Sequence, residues 1–193
     1  MLSGNCSSAL GTTAGLRAAG KPSAVCWLDA HADFNTPDTT RSGFLDGMTL
    51  ATLVGRSWKS MSESIPGFAP VPEWQVVLLG TRDIDTLESA QLDEARVRVT
   101  SWKETDAIFD DISAEVRSLY FHIDLDVLDT SVGKANSYST SGGMTVDDVL
   151  GVMESARHRF DVVAASMTSY DPTGDPLGRV ARAAIDIAQG LLH

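Results

Sequence analysis

The sequence predicts an α/β fold in which helices cover both faces of a parallel sheet. Short apolar runs with few charges alternate along the chain with longer segments whose apolar residues recur at helical spacing. Such apolar runs are typical of parallel strands, because both faces of a parallel sheet are covered. Regular alternation of strands and helices favours parallel pairing. We expect a single domain over residues 1–193, a length sufficient for one sizeable core.

The composition narrows the classes of function. Apolar residues make up 43% of the chain and charged residues 21%, as in ordinary globular proteins. No apolar run has the length of a membrane span, and the first residues lack the pattern of a secretory signal, so we expect a cytoplasmic location without membrane or nucleic-acid partners. The net charge of −11 disfavours nucleic-acid binding, which needs a basic surface. Two cysteines, Cys6 and Cys26, do not suffice for a disulfide framework.

Five apolar runs predict the strands. Residues 23–28 combine β-forming residues with no charge, and residues 75–79 form a second run of this kind. The other predicted strands are a short one at 97–100, one from 118 that ends at Asp124, and one at 161–166.

Helical spacing and capping residues mark the segments between the strands. Ile108, Ile112 and Val116 recur at four-residue steps, which is typical of an amphipathic helix. Asp85 stands where an N-cap is expected, and Thr145 begins a sequence similar to a capping box. The predicted helices are residues 8–19, 47–55, 86–95, 104–117, 145–159 and 177–192. Gly67 and three prolines between residues 57 and 72 predict a loop with a little helix.

Three potential metal ligands follow the first predicted strand: Asp29, His31 and Asp33. In α/β proteins, ligands bind beyond the carboxyl ends of the strands. In an extended chain, alternating residues point the same way, so we expect these three side chains to converge. Two carboxylates and an imidazole suit a divalent ion such as Mn²⁺. The alternative is a solvated acidic turn.

A second acidic pair, Asp124 and Asp126, follows the fourth predicted strand. An unpaired carboxylate at the end of a buried strand is costly, so two such clusters favour a shared cation. Four carboxylates and His31 carry too much negative charge for one divalent ion and suit two bridged ions. We expect His122, just before Asp124, to pack beside the ligands without coordinating.

These motifs resemble those of the ureohydrolases, the family of arginase, agmatinase and formiminoglutamase. The run of nine residues from Asp29 to Pro37 and the run Asp124-Leu-Asp126 are similar to the two metal motifs of that family, and residues 141–145 are similar to its Gly-Gly-Leu-Thr segment. The resemblance extends from about residue 3 to about residue 176. It implies a three-layer arginase-like fold and a hydrolase that uses two Mn²⁺ ions to act on a guanidino or amidine compound.

The resemblance also implies a ligand set of six residues: Cys6, Asp29, His31, Asp33, Asp124 and Asp126. Asp29 and Asp124 are expected to bridge the two ions, with Asp33 and Cys6 completing one and His31 and Asp126 the other. The family has a histidine where this chain has Cys6. Because thiolate is a soft partner for Mn²⁺, Cys6 is either a ligand or a small buried residue at a helix N-terminus.

Further roles are implied for residues outside the metal motifs. Asn35, Ser42 and Asp85 match positions that hold the α-carboxylate and α-amino groups of arginine, which favours arginine or N-hydroxyarginine as substrate. Asp148 falls where the family has a glutamate that holds the guanidinium, and Asp46 replaces a histidine that shuttles protons. Each of these acids also has an alternative role. Asp85 and Asp148 could each cap a helix, and Asp46 could be an ordinary acidic residue of a loop.

The chain also departs from the family. Asn5 and Cys6 stand where the family has Asp-His, and the chain begins almost at this motif, as in a shortened homologue or a fragment. We therefore expect a smaller sheet that lacks the N-terminal strands at one edge, and a homo-oligomer in which another subunit covers that edge. The alternative function is that of a catalytically weak or inactive homologue that acts through assembly or ligand binding.

Overall fold

Five parallel strands form the centre of the molecule. A computed structural model describes residues 1–192. The strands are β1 (Ala24–Leu28), β2 (Val76–Leu79), β3 (Arg98–Thr100), β4 (Ser118–Asp124) and β5 (Asp161–Thr168). They form one sheet in the order β3-β2-β1-β4-β5, with every neighbouring pair parallel. The predicted parallel sheet is confirmed.

Helices cover both faces of this sheet. They are α1 (Ser8–Ala18), α2 (Thr49–Leu53), α3 (Lys59–Glu63), α4 (Thr86–Asp93), α5 (Asp106–Ser113), α6 (Val146–Arg157) and α7 (Arg179–Gly190). Alternating residues of β1 enter different cores. Cys26 and Leu28 pack in the core that contains α5, α6 and α7, whereas Val25 and Trp27 pack in the core that contains α1, α2 and α4. The arrangement therefore has three layers, as predicted.

The central strands end together at one edge of the sheet. Leu28 of β1 pairs with Leu79 of β2 and with Ile123 of β4. All five residues of β1 are buried, which explains why this strand is apolar throughout. The acidic residues that follow β1 and β4 consequently emerge side by side at the carboxyl edge.

Two glycines allow the loops at this edge to approach each other closely. Gly80, directly after β2, has φ +86°, and a Cβ there would lie 2.5 Å from Cγ2 of Val127. A Cβ on Gly143 would lie 2.4 Å from the carbonyl oxygen of Val127. Any larger residue at either position would push the segment that follows β4 away from its neighbours.

Several elements differ from the predicted bounds. The helix expected at 104–117 is shorter and is confined to α5, because the chain must leave the helix before β4 begins. At Arg117 the carbonyl already accepts a hydrogen bond from Asp161 N, which lies in the sheet. The loop expected at 57–72 does agree, because the little helix predicted within it is α3. The helix expected at 47–55 consists of a 3-10 turn at Asp46–Met48 followed by α2.

The first residues of the chain lie against β5, at one outer edge of the sheet. Ser3 N donates to Met167 O, and Met167 N donates to Met1 O, both at 3.0 Å. The five-stranded sheet is contiguous. None of the described helices is long and apolar enough to cross a membrane.

Candidate metal centre

An acidic cavity of about 440 Å³ opens at the carboxyl edge of the sheet. Its walls come from the residues before α1, the loop after β1, and the segments after β2, β4 and β5. Among the described residues, no lysine or arginine lines it. The carboxylates that line it are Asp33, Asp46, Asp83, Asp85, Glu88, Asp124, Asp126 and Asp171. Such a cavity attracts cations.

Asp29 follows β1 directly and is buried beside His31, which lines the cavity. Its carboxylate accepts hydrogen bonds from Nε1 of Trp27 at 3.0 Å and from the backbone N–H of His31 at 2.8 Å. Trp27 is held in turn by His122, whose ring stacks on it at a centroid distance of 3.7 Å. Asp29 is therefore fixed in orientation, and His122 packs behind it as predicted.

Asp29 belongs to two groups of potential metal ligands. In each group, the ligand atoms lie within 4.8 Å of one another. The first group contains Asp29, Cys6 and Asp33, and the second contains Asp29, His31 and Asp126. The assignment of ions that the resemblance implies, with Asp124 shared as well, stays a prediction. Asp124 belongs to neither group, although Cys6 Sγ donates to its Oδ2 at 3.0 Å.

His31 lies between two carboxylates. Its Nδ1 is 3.4 Å from Oδ1 of Asp29 and 3.4 Å from Oδ2 of Asp126. Burial alone would lower the pKa of His31, but hydrogen bonds to Asp126 and Asp29 outweigh it and raise the pKa to about 11. Burial likewise raises the pKa of Asp126, yet the bond from His31 lowers it overall. In the metal-free chain a charged imidazole thus partly neutralises this group.

The other group, Cys6, Asp29 and Asp33, contains no imidazole of its own. Burial and the Asp124 carboxylate raise the pKa of the Cys6 thiol well above its usual range. Burial and the charge of Asp29 raise the pKa of Asp33 in the same way. Oδ2 of Asp33 is buried and has no hydrogen-bond partner among the described residues. An unpartnered carboxylate oxygen in the interior is costly, and a bound cation would compensate it.

The donors of the whole cluster fit divalent metal ions. Asp29, Asp33, Asp124 and Asp126 are all buried, and His31 is the one basic side chain among the described residues that line the cavity. Burial raises the pKa of Asp29 to about 7, although the hydrogen bonds and charge of His31 act to lower it. Carboxylate oxygens with one imidazole suit hard or borderline ions such as Mn²⁺, and the shared Asp29 suits two neighbouring ions.

One geometric prediction for the first motif is wrong. The chain from Asp29 to Asp33 is not extended, because β1 ends at Leu28 and Asp33 has a left-handed φ of +50°. Neighbouring segments impose this shape. Thr81 Oγ1 donates to the carbonyls of Asp29 and His31, and Ala30 N donates to Asp126. The three ligands converge because the loop is folded around them.

The residues predicted to bind substrate are only partly brought together. Asn35, Ser42 and Asp85 line the cavity, but Asp148 is not among the lining residues. The Asp148 carboxylate accepts bonds from the backbone N–H and hydroxyl of Thr145, so it closes the capping box of α6. Thr145 N donates at 2.8 Å. The alternative role of Asp148 as a helix cap is the one that the structure shows.

Asp46, predicted as the proton shuttle, lines the cavity but faces the residues before α1. Its two oxygens accept bonds from Asn5 Nδ2, the backbone N–H groups of Cys6 and Ser7, and Thr49 Oγ1. Glu88 is similarly engaged, because Phe34 N donates to its Oε1 at 2.8 Å. Both acids tie loops of the cavity together.

Several residues at the site were not identified from the sequence. Ser169, with φ +64°, lies 3.6 Å from Cys6 Sγ by its hydroxyl, and Asn136 Nδ2 donates to Asp126 at 3.2 Å. Phe44 and Tyr138 stack at the cavity with a centroid distance of 5.8 Å. Ser169 and Asn136 stand in polar loops that follow strands, a position that favours a role in a site. No pattern in the sequence near Phe44 or Tyr138 predicts that their rings stack.

Arg82 is a further supporting residue. Its guanidinium donates to the backbone carbonyls of Gly80, Asp126, Leu128, Thr140 and Ser141. These bonds join the segment after β2 to the loops that precede α6. Arg82 therefore stabilises the backbone that presents Asp126.

Known proteins are similar to this chain. The arginase of Agrobacterium fabrum is 32% identical over an alignment of 204 positions, which covers 98% of this chain and 62% of that protein. The arginase of Glaciozyma antarctica is 30% identical over an alignment of 207 positions, which covers 100% of this chain and 59% of that protein. The chain thus spans about 60% of the length of these relatives.

The similarity includes the three-dimensional structure and covers the entire chain. The crystal structure of the arginase from Bacillus cereus superposes with a TM-score of 0.87 at 27% identity, covering 98% of this chain and 69% of that one. The predicted three-layer arginase-like fold is therefore confirmed. The sequence profile of the arginase family matches residues 1–193. With this match and the two acidic motifs meeting at the end of the sheet, the chain belongs to the arginase family.

Proposed function

We propose that this chain is a manganese-dependent hydrolase that cleaves a C–N bond of a linear guanidino compound, an arginine-like amino acid such as arginine or N-hydroxyarginine. The observation that carries the proposal is the pair of potential ligand groups that share Asp29 and whose other members line an acidic cavity. The names of the relatives, which are arginases, support the same reaction class.

Two Mn²⁺ ions are the proposed cofactor. Cys6 and Asp33 would hold one, His31 and Asp126 would hold the other, and Asp29 and Asp124 would be shared. When bound, such ions supply Lewis acidity and make water acidic enough to provide a nucleophile near neutral pH.

The surrounding residues keep these side chains in place. Trp27 fixes one oxygen of Asp29, and Asn136 holds Asp126. Such bonds to ligating groups typically contribute about 10-fold to 100-fold in metal affinity.

The cavity is suited to a cationic substrate. Its acidic lining attracts a guanidinium group. Thr39 Oγ1 donates to Asn35 Oδ1, which orients the amide and leaves its Nδ2 as a donor for a carboxylate. Ser42 would supply a second donor, and Asp85 an acceptor for an amino group. Asp148 lies away from the cavity, so we assign it no contact with the guanidinium.

Protonation of the leaving amine needs an acid within reach. The sequence assigns this role to Asp46, and it stays a prediction. The bonds that already occupy both Asp46 oxygens support a different role, which is developed below.

The experiment that tests the proposal combines metal analysis with product detection. Protein purified with added Mn²⁺ should contain two equivalents per chain and should release urea from arginine or hydroxyurea from N-hydroxyarginine. Agmatine, which lacks the α-carboxylate, should react more slowly because it cannot use Asn35 and Ser42. Protein with two ions but no turnover of any of these compounds would contradict the proposal.

Such a result would favour the second candidate, a weak or inactive homologue that acts through assembly or ligand binding. The capping role of Asp148 and the engaged carboxylate of Asp46 are the observations in its favour. A homo-oligomer and a cytoplasmic location are further expectations, which sedimentation and fractionation would test.

A further inference from the structure

The Asp46 carboxylate binds the segment before α1, 39–41 residues away in the chain. Oδ2 accepts from Asn5 Nδ2 at 3.0 Å and from Cys6 N at 3.2 Å, and Oδ1 accepts from Ser7 N at 3.0 Å. The first turn of α1 contains no acidic residue of its own. Asp46 therefore supplies, from another loop, the acceptors and the negative charge that the N-terminus of this helix lacks.

One of these bonds holds the backbone of Cys6, the residue that carries the thiol. The backbone of Cys6 is held by Asp46, while its Sγ donates to Asp124 and lies 3.2 Å from Thr168 Oγ1. The same thiol is within reach of Asp29 and Asp33. A change in the backbone at Cys6 would move the thiol relative to both carboxylates.

The amide at residue 5 complements the carboxylate at residue 46. Asn5 donates an N–H to Asp46, which an aspartate at residue 5 could not do. Two carboxylates at this distance would repel each other. Asn5, Cys6 and Asp46, three positions at which the chain departs from the family pattern, are thus in direct mutual contact.

We propose that Asp46 is a positioning residue: its carboxylate fixes the backbone of Asn5, Cys6 and Ser7 and thereby holds the Cys6 thiol beside Asp29 and Asp33. Asn5 belongs to the same unit, because its amide allows the carboxylate to approach. The effect on the thiol is a property of the metal-free chain. The consequence for metal binding rests on the proposed function.

The chain contains a matched control for this role. Asp175 caps α7 by accepting backbone bonds from Arg179, Val180 and Ala181, and it is buried as Asp46 is. It makes no hydrogen bond to Cys6. Asp175→Ala therefore removes a helix cap of the same chemistry without touching the thiol.

The first experiment measures alkylation of the two cysteines in metal-free protein by mass spectrometry. Loss of the cap in Asp46→Ala should raise the alkylation rate of Cys6 roughly tenfold, because the segment before α1 opens more readily. Cys26, buried within β1, is the internal reference and should not change. Asp175→Ala should leave the rate of Cys6 at the wild-type value.

Asp46→Asn separates positioning from charge. It removes the negative charge but keeps one acceptor oxygen, so the Cys6 rate should rise less than in Asp46→Ala. Asn5→Asp alone should raise the rate through repulsion. Asn5→Asp combined with Asp46→Asn should lower it again only in part, because the exchanged amide and carboxylate can pair but the amide leaves Cys6 N without its acceptor. Equal rates in Asp46→Ala and Asp46→Asn, or no rise in either, would overturn the proposal.

The second experiment uses Co²⁺ as a probe and records the ultraviolet thiolate-to-cobalt charge-transfer band. Wild type and Asp175→Ala should show the band, Cys6→Ser should lose it, and Asp46→Ala should lose most of it at equal cobalt content. A full band in Asp46→Ala would overturn the positioning role. A wild type that lacks the band would instead refute Cys6 as a ligand in the proposed function, while the alkylation rates would still decide the role of Asp46.

Discussion

The two groups of candidate ligands meet at Asp29 but balance their charge differently. In one, His31 lies between Asp29 and Asp126, and Asp126 also accepts bonds from Ala30 N and Asn136 Nδ2. In the other, Asp33 has an oxygen without a partner. An imidazole can take up a proton and serve as a cation in the metal-free chain, whereas a thiol cannot. We therefore expect the group of Cys6 and Asp33 to depend more strongly on a bound cation.

The largest effect is expected at Asp29, the residue common to both groups. Asp29→Asn should weaken Mn²⁺ binding at both half-sites by about a hundredfold or more, because a direct ligand contributes at least as much as the groups that orient it. The asparagine keeps an acceptor for Trp27, so the fold should be retained. Metal titration followed by calorimetry checks this. Loss of one ion only would show that Asp29 is not shared, and Asp124→Ala provides the parallel test of Asp124.

Substitution of Cys6 should affect one half-site only. Imidazole suits Mn²⁺ better than thiolate does, so Cys6→His should hold manganese about tenfold more tightly and hydrolyse arginine faster. Cys6→Ser should lose one ion more readily than the other. Metal content after dialysis and melting temperature should be measured together for both variants. A serine variant that keeps both ions, with a histidine variant that is only destabilised by overpacking, would exclude Cys6 as a ligand.

The two half-sites should respond with opposite sign when the metal-free protein is unfolded by urea. Asp126→Asn breaks the pair with His31 and should lower the free energy of unfolding by about 1–3 kcal/mol. Asp33→Asn removes a buried carboxylate that lacks a partner and should raise it by about 1 kcal/mol. Destabilisation by both substitutions would contradict the difference in charge balance.

A smaller effect is expected at Asp148, which caps α6 outside the cavity. Asp148→Ala should lower the free energy of unfolding by about 1 kcal/mol, the usual cost of a lost helix cap. Metal content and KM for arginine should not change, since neither group of ligands contacts this residue. A large rise in KM at unchanged stability would instead support a contact between Asp148 and the guanidinium group of the substrate, as the resemblance implies.

The smallest effect concerns Asp175, which caps α7 and belongs to neither group. Burial raises the pKa of Asp175, but the bonds from Ala181, Arg179 and Val180 outweigh it and lower the pKa overall. The Asp175 carboxyl thus binds its proton less tightly in the folded protein than in the unfolded chain. The stabilisation that the ionised carboxylate contributes is therefore complete above the unfolded pKa of about 3.9 and is lost as the pH falls through the folded pKa.

Urea unfolding of the wild type and Asp175→Asn at several pH values tests this. The difference in unfolding free energy between the two proteins should shrink below about pH 4. A difference that stays constant down to the lowest pH would show that the carboxylate charge does not contribute.

Much of this molecule could be predicted before the structure was known. The apolar runs predicted every strand of the sheet because burial on both faces leaves a strong local pattern. The acidic motifs after β1 and β4 indicated the candidate metal centre, since the carboxyl ends of neighbouring parallel strands must meet. Helix ends were less well predicted, as at α5, because tertiary contacts determine where the chain leaves the helix.

The sequence by itself determined the alternation of elements and the identity of the acids that follow the central strands. Only the tertiary structure decided that Asp46 binds the backbone of Cys6, that Asp148 closes a helix cap, and that Asn136 and Ser169 reach the ligands. The physical reason is distance along the chain. Burial and helix capping act on neighbouring residues and leave periodic patterns, whereas a hydrogen bond between residues 5 and 46 depends on how whole loops pack and leaves no local pattern.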